Sequence, residues 1–162
     1  MTKVKGQGLE AKDSSTHNTK RLARLAAIQG LYQIALTEHK PAQIIKDFHE
    51  HPPSLMPEKN AGETLAGMDR ELFAVIVTGV AEHSAALDQS IAGALDAKVS
   101  GARMETLLRA ILRAGAYELQ HHAQTPSAVV INDYVDVAHA FFDGKEPGLV
   151  NAVLDRLAKA RI

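Results

Sequence analysis

The sequence has no cysteine, few aromatic residues (4%), no long apolar run and a formal net charge of only −1. Each shortage excludes something. Without cysteine there is no disulfide, no thiol nucleophile and no zinc site built on thiolates. A reducing compartment fits that absence without being required by it. The apolar run Phe73-Ala-Val-Ile-Val77, with Leu72 before it, falls far short of the ~20 residues that cross a bilayer. The opening stretch MTKVKGQGLEAKDSSTHNTK lacks the apolar centre of a secretion signal, so a soluble cytoplasmic protein is expected. Taken as a total, 18 Lys+Arg against 19 Asp+Glu argues against a polyanion ligand. What is present is apolar: 46% of 162 residues, enough for a real core and too much for a disordered chain.

Residues 1–17 have almost nothing to bury and read as a flexible tail, leaving 18–162 as the folded domain. From Asn18, a candidate N-cap, apolar residues recur at helical spacing: Leu22, Leu25, Ile28, Leu31 and Ala35. This helix is expected to end near Thr37, and a short one to cover Pro41–Phe48. Three prolines from Pro52 to Pro57 then force a loop. Asp69 is placed to cap a helix through Leu72, Ile76, Val80, His83 and Leu87, with Ile91–Leu95 as a separate turn. Ser100 precedes the clearest stripe, Met104, Leu107, Leu108, Ile111, Leu112, Gly115 and Leu119. Thr125-Pro126 reads as the cap and first position of a further helix, ended by Asp143-Gly144 with a positive φ at Gly144. Pro147 opens the last. No window alternates as a strand would. The expected fold is all-α, a compact bundle of about seven helices.

Catalytic motifs are missing. The eight histidines include His49-x-His51 in the proline-rich loop and the adjacent pair His121-His122, neither with ligand spacing, so no metal site is expected. No phosphate loop, dinucleotide turn or nucleophile elbow occurs. Asp133 and Asp136 stand at i,i+3 and read as a solvated face rather than an acid/base pair. Asn132 and Asn151, inside apolar stretches, read as buried structural ties. An enzyme is not the natural reading.

Charge, by contrast, is unevenly placed. The first forty residues carry +4 and the remainder −5. Lys20, Arg21 and Arg24 fall in the first turns of the expected first helix, where the macrodipole disfavours cations. Extra cations beside free amides suit phosphate, although an ordinary solvated helix end would carry the same charges.

Five segments carry a resemblance. Ala23-Arg-Leu-Ala-Ala-Ile-Gln-Gly-Leu-Tyr32 looks like the opening-helix motif of the NusB family of bacterial transcription antitermination factors. Asp69 to Val80 is similar to its middle segment, and Leu108-Arg-Ala-Ile-Leu-Arg-Ala-Gly-Ala-Tyr-Glu-Leu119 to its Leu-Arg-x-x-x-Tyr-Glu-Leu helix. Pro126 to Ala138 resembles its Pro-x-x-Val-x-Ile-Asn segment, and Leu149-Val-Asn-Ala-Val-Leu-Asp-Arg156 its last motif. In order, they cover nearly everything from Lys20 to Arg156.

The resemblance implies two packed helical subdomains without catalytic activity or cofactor. It implies binding to the boxA element of ribosomal RNA leaders together with NusE, a small-subunit ribosomal protein, in a complex with NusA, NusG and RNA polymerase. RNA contact maps onto Arg21 and Arg24 with Lys20 adjacent; the NusE surface maps onto Tyr32 and Glu118, with Arg113 on the same helix. On this reading Arg21 and Arg24 are replaceable without loss of thermal stability, and Glu118 is an exposed carboxylate. A homodimer stays open, as do two other functions: a helical scaffold without RNA specificity, and a detached NusB-like domain of a ribosomal RNA cytosine methyltransferase.

Overall fold

The computed structural model describes residues 2–53, 65–95 and 104–160, with side chains from residue 16 onward. Every regular element among them is helical: α1 (Thr2–Thr37), α2 (Pro41–Glu50), α3 (Arg70–Ala94), α4 (Thr106–His121), α5 (Ser127–Phe141) and α6 (Glu146–Ala160), with a 3-10 turn at Leu65–Gly67. The all-α class holds, with six α-helices where about seven were expected.

Differences lie mainly at helix ends. α1 begins at Thr2, so Asn18 is an interior position rather than a cap. Lys20 and Arg21 therefore sit in the body of a helix, and no free first-turn amides lie beside them. α3 absorbs the separate turn expected at Ile91–Leu95, running to Ala94 through a kink at His83 (φ −114°, ψ 16°). Its start is as expected: Asp69 Oδ1 accepts from the Leu72 amide at 3.0 Å. Pro126, not Thr125, stands at the α5 cap. Gly144 does not take a positive φ, because the chain already leaves α5 in extended backbone at Phe142 (φ −129°, ψ 137°). The left-handed residue is instead Glu38 (φ 61°), whose amide donates to Ile34 O at 3.0 Å and closes α1. Ser100 and residues 54–64 of the proline-rich loop lie outside the described residues.

α4 is the central helix, packed on α1, α3, α5 and α6. The two packed subdomains that the resemblance implies share one interior: α3 packs most extensively on α4, and a single apolar cluster runs through all six helices. Ala23, Ala26, Ala27, Ile28 and Leu31 of α1 join Phe73, Ile76 and Val77 of α3, Ile111 and Leu112 of α4, and Val153 and Leu154 of α6. Each large aliphatic side chain buried there contributes about 1.5–3 kcal/mol. Two glycines set helix spacing. A Cβ on Gly79 would overlap the ring of Tyr117, and one on Gly115 would lie 2.7 Å from Leu154 Cδ1. A larger residue at either position would require Tyr117 or Leu154 to shift.

Candidate nucleic-acid and partner interface

Three of the charged side chains meet inside the bundle. Arg24, fully buried on α1, forks onto Glu118 of α4, with Nε donating to Oε2 at 2.8 Å and Nη2 to Oε1 at 2.9 Å. Its third nitrogen, Nη1, donates to Asp133 Oδ2 of α5 at 2.8 Å. Tyr134 donates its hydroxyl to Glu118 Oε2 at 2.5 Å, and Thr125 Oγ1 accepts from Arg24 Nη2 at 3.3 Å. His17, half exposed, brings Nε2 to 3.2 Å from Asp133 Oδ1, the oxygen that Arg24 leaves free. The planar guanidinium matches this demand because its donors form a rigid fork. Burial works against the Arg24 charge, but Glu118 above all, and Asp133, hold its pKa above the usual arginine value. Burial, reinforced by the Glu118 charge, pushes the Tyr134 phenol well above 10.

This network corrects two expectations and part of a third. Arg24 is 0% exposed and Glu118 1%, so neither presents a charge to solvent. Asp133, read as solvated, is 1% exposed; Asp136 does face solvent. Asn132 and Asn151, read as buried ties, are both exposed.

The remaining sites lie apart from one another. Arg21 is exposed on α1, and Lys20 lines a cleft of about 120 Å³ with Asp69, Glu71, His122, Gln124 and Thr125. α3 starts beside them, the Asp69 amide donating to Thr19 O of α1 at 2.9 Å. Near the other end of α1, Tyr32 is 37% and Leu36 60% exposed. Both line an apolar cleft of about 500 Å³ with Gln33, Phe48, Leu107 and Phe141. Arg113 borders a different cleft, against Leu31, Ile34 and Val80. It is occupied internally, donating to Asp88 of α3 from Nε at 2.8 Å and Nη2 at 2.6 Å.

The network was detectable by register. Arg24 precedes buried Ile28 and Leu31 by four and seven, Glu118 follows Ala114 and Ile111 by four and seven, and Asp133 follows Val130 by three. Charge alone had marked these positions as surface. His17 and Thr125 carry no such signal, since only the docking of α1 on α5 makes them neighbours.

No group of three or more metal-ligating side chains occurs among the described residues, and none of their helices is long and apolar enough to cross a membrane. Fold and site define an all-helical protein whose polar centre joins helices, with Lys20 and Arg21 on one side and an apolar cleft at Tyr32 and Leu36 on another. A protein-family model for the NusB family matches residues 21–159. Transcription antitermination protein NusB of Rhizobium rhizogenes is 39% identical over 146 residues, 90% of this chain and 89% of that protein. Its counterpart from Caulobacter vibrioides is 39% identical over 138 residues, 85% and 91% of the two chains. Among solved structures, Thermotoga maritima NusB matches with a TM-score of 0.67 at 25% identity, covering 86% of this chain and 89% of the other. A structure of antitermination factors NusB and NusE in complex with double-stranded RNA matches with a TM-score of 0.67 at 28% identity, covering 86% and 96%. The chain belongs to the NusB family, a non-enzymatic family of transcription antitermination proteins.

Proposed function

We propose that the chain binds the boxA element of ribosomal RNA leaders together with NusE and, with NusA, NusG and RNA polymerase, supports termination-resistant transcription in the cytoplasm. The observation that carries this reading is the likeness to the solved NusB, NusE and RNA assembly, which extends over 86% of this chain. Lys20 and Arg21 are the phosphate-binding cations. Arg24 and Glu118 act through the buried network, fixing the rotation of α1 so that Lys20 and Arg21 stay accessible. Tyr32 and Leu36, with their apolar cleft, supply the NusE surface, and the same patch would serve self-association when NusE is absent. Arg113, beside a separate cleft, acts only by tying α4 to α3. Relatives at about 40% identity are named antitermination proteins, so neither the methyltransferase fragment nor the RNA-free scaffold is favoured.

Two cations bind RNA weakly on their own, so boxA affinity should rise strongly when NusE is bound. The test is fluorescence anisotropy with boxA and scrambled RNA, with and without NusE, across a salt series. Lys20→Ala with Arg21→Ala should weaken boxA binding and flatten the log–log salt slope by about 0.7 for each phosphate no longer neutralised. Stability should stay within about 0.5 kcal/mol of the parent, because both side chains lie at the surface. Equal affinity and slope in the double variant would refute this strip as the RNA site.

A further inference from the structure

A cluster of flat rings stands near Lys20 and has no part in the buried Arg24 network. His83 of α3 stacks on His121 of α4 with centroids 4.5 Å apart and planes 3° from parallel. Tyr117, one turn before His121, lies 5.4 Å from it at 22° and 6.0 Å from His83 at 19°. His121 is exposed, and the other two rings are half-buried. Tyr117 is held from behind by bare backbone, since a Cβ on Gly79 would overlap its ring.

Two neighbouring clefts lie between the rings and Lys20. A shallow cleft along Tyr117, Gly79 and Glu82 shares Val75 with the cleft lined by Lys20, His122 and Gln124. Their chemistry sorts the parts of a nucleotide. Asp69, Glu71 and Glu82 repel phosphates but accept from the exocyclic amino groups of bases, Gln124 offers both a donor and an acceptor, and among the described residues Lys20 is the one cation lining the two clefts. The exposed ring of His121, at the solvent side of the stack, suits an unstacked base, the form in which single-stranded RNA is read. Phosphates are then left to Lys20 and Arg21.

We propose that His83, Tyr117 and His121 form a stacking shelf for an unpaired RNA base, near the phosphate strip on α1. The proposal rests on the RNA reading above and names where that RNA runs. The full chain is titrated with boxA RNA carrying 2-aminopurine at one unpaired position at a time. His121→Ala should weaken binding about 5- to 10-fold, as removal of one stacking face does, with an unchanged salt slope because every phosphate stays neutralised. His121→Trp should restore affinity and quench the probe at one position. An abasic nucleotide at that position should weaken the parent but add nothing to His121→Ala. If His121→Ala binds like the parent while Lys20→Ala with Arg21→Ala binds less, the shelf is wrong and the RNA reading stands. If neither variant changes affinity, both fall. If His121→Ala spares RNA and weakens NusE binding, the rings form a protein contact and the shelf is overturned.

Discussion

Truncating Arg24 to alanine would leave Glu118 and Asp133 buried without their cation. Removing one partner from such a pair costs about 3–5 kcal/mol, against about 0.5 kcal/mol for an arginine at the surface. Arg24→Ala should therefore lose about 3–5 kcal/mol in urea denaturation, a large part of an ordinary stability margin, and a loss below about 1 kcal/mol would place the residue at the surface after all. This reverses the expectation that Arg24 is replaceable without thermal cost. Glu118→Lys would likewise bury a second cation against Arg24, so any loss of NusE binding in that variant would report damage to the interior. Sequence legibility was uneven at this scale. Asp69 was readable because capping is local, and its Oδ1 does take the Leu72 amide. Arg24 was misread because its neighbours across the bundle, Glu118 and Asp133, are 94 and 109 positions away.

Between elements, the tie from α4 to α3 through Asp88 makes a pH signature. The Arg113 hydrogen bonds, helped by the charges of Arg113 and Arg109, hold the Asp88 carboxyl below the usual aspartate value of 3.8, against the opposing effect of partial burial. A carboxylate with its folded pKa depressed contributes stability above its unfolded value. That stability is lost as pH falls from 3.8 through the folded value. Asp88 is one-third exposed, so solvent screens the pair and the contribution is small. Asp88→Asn should thus flatten the acid side of the melting-temperature profile below the ordinary aspartate value of 3.8. An acid limb identical to the parent's would show that the tie contributes nothing. Helix cores were legible from period alone, whereas their ends were not. α1 extends back to Thr2, well before its apolar periodicity begins at Leu22. α3 passes through its kink because the same buried face continues on both sides of His83.

Over the whole molecule, one apolar cluster runs through all six helices. A shared core couples them, so unfolding should be a single transition, with far-UV dichroism and tyrosine fluorescence changing together in urea. Separate midpoints would mean that parts of the bundle fold independently. The net charge of −1 also takes its meaning at this scale, because a polyanion responds to the +4 in the first forty residues rather than to the sum. By itself the sequence determined the helical class, the core stripes and the family likeness, because periodicity, capping and motif order are properties of near neighbours. It also excluded disulfides and thiolate zinc sites by composition. Only the tertiary structure decided which charges meet one another. Packing turned Arg24, Glu118 and Asp133 inward to satisfy one another, left Lys20 and Arg21 accessible, and brought His83 onto His121. Register could mark Arg24, Glu118 and Asp133 as inward-facing, but which of them meet depends on how helices distant in sequence dock, and no local pattern specifies that.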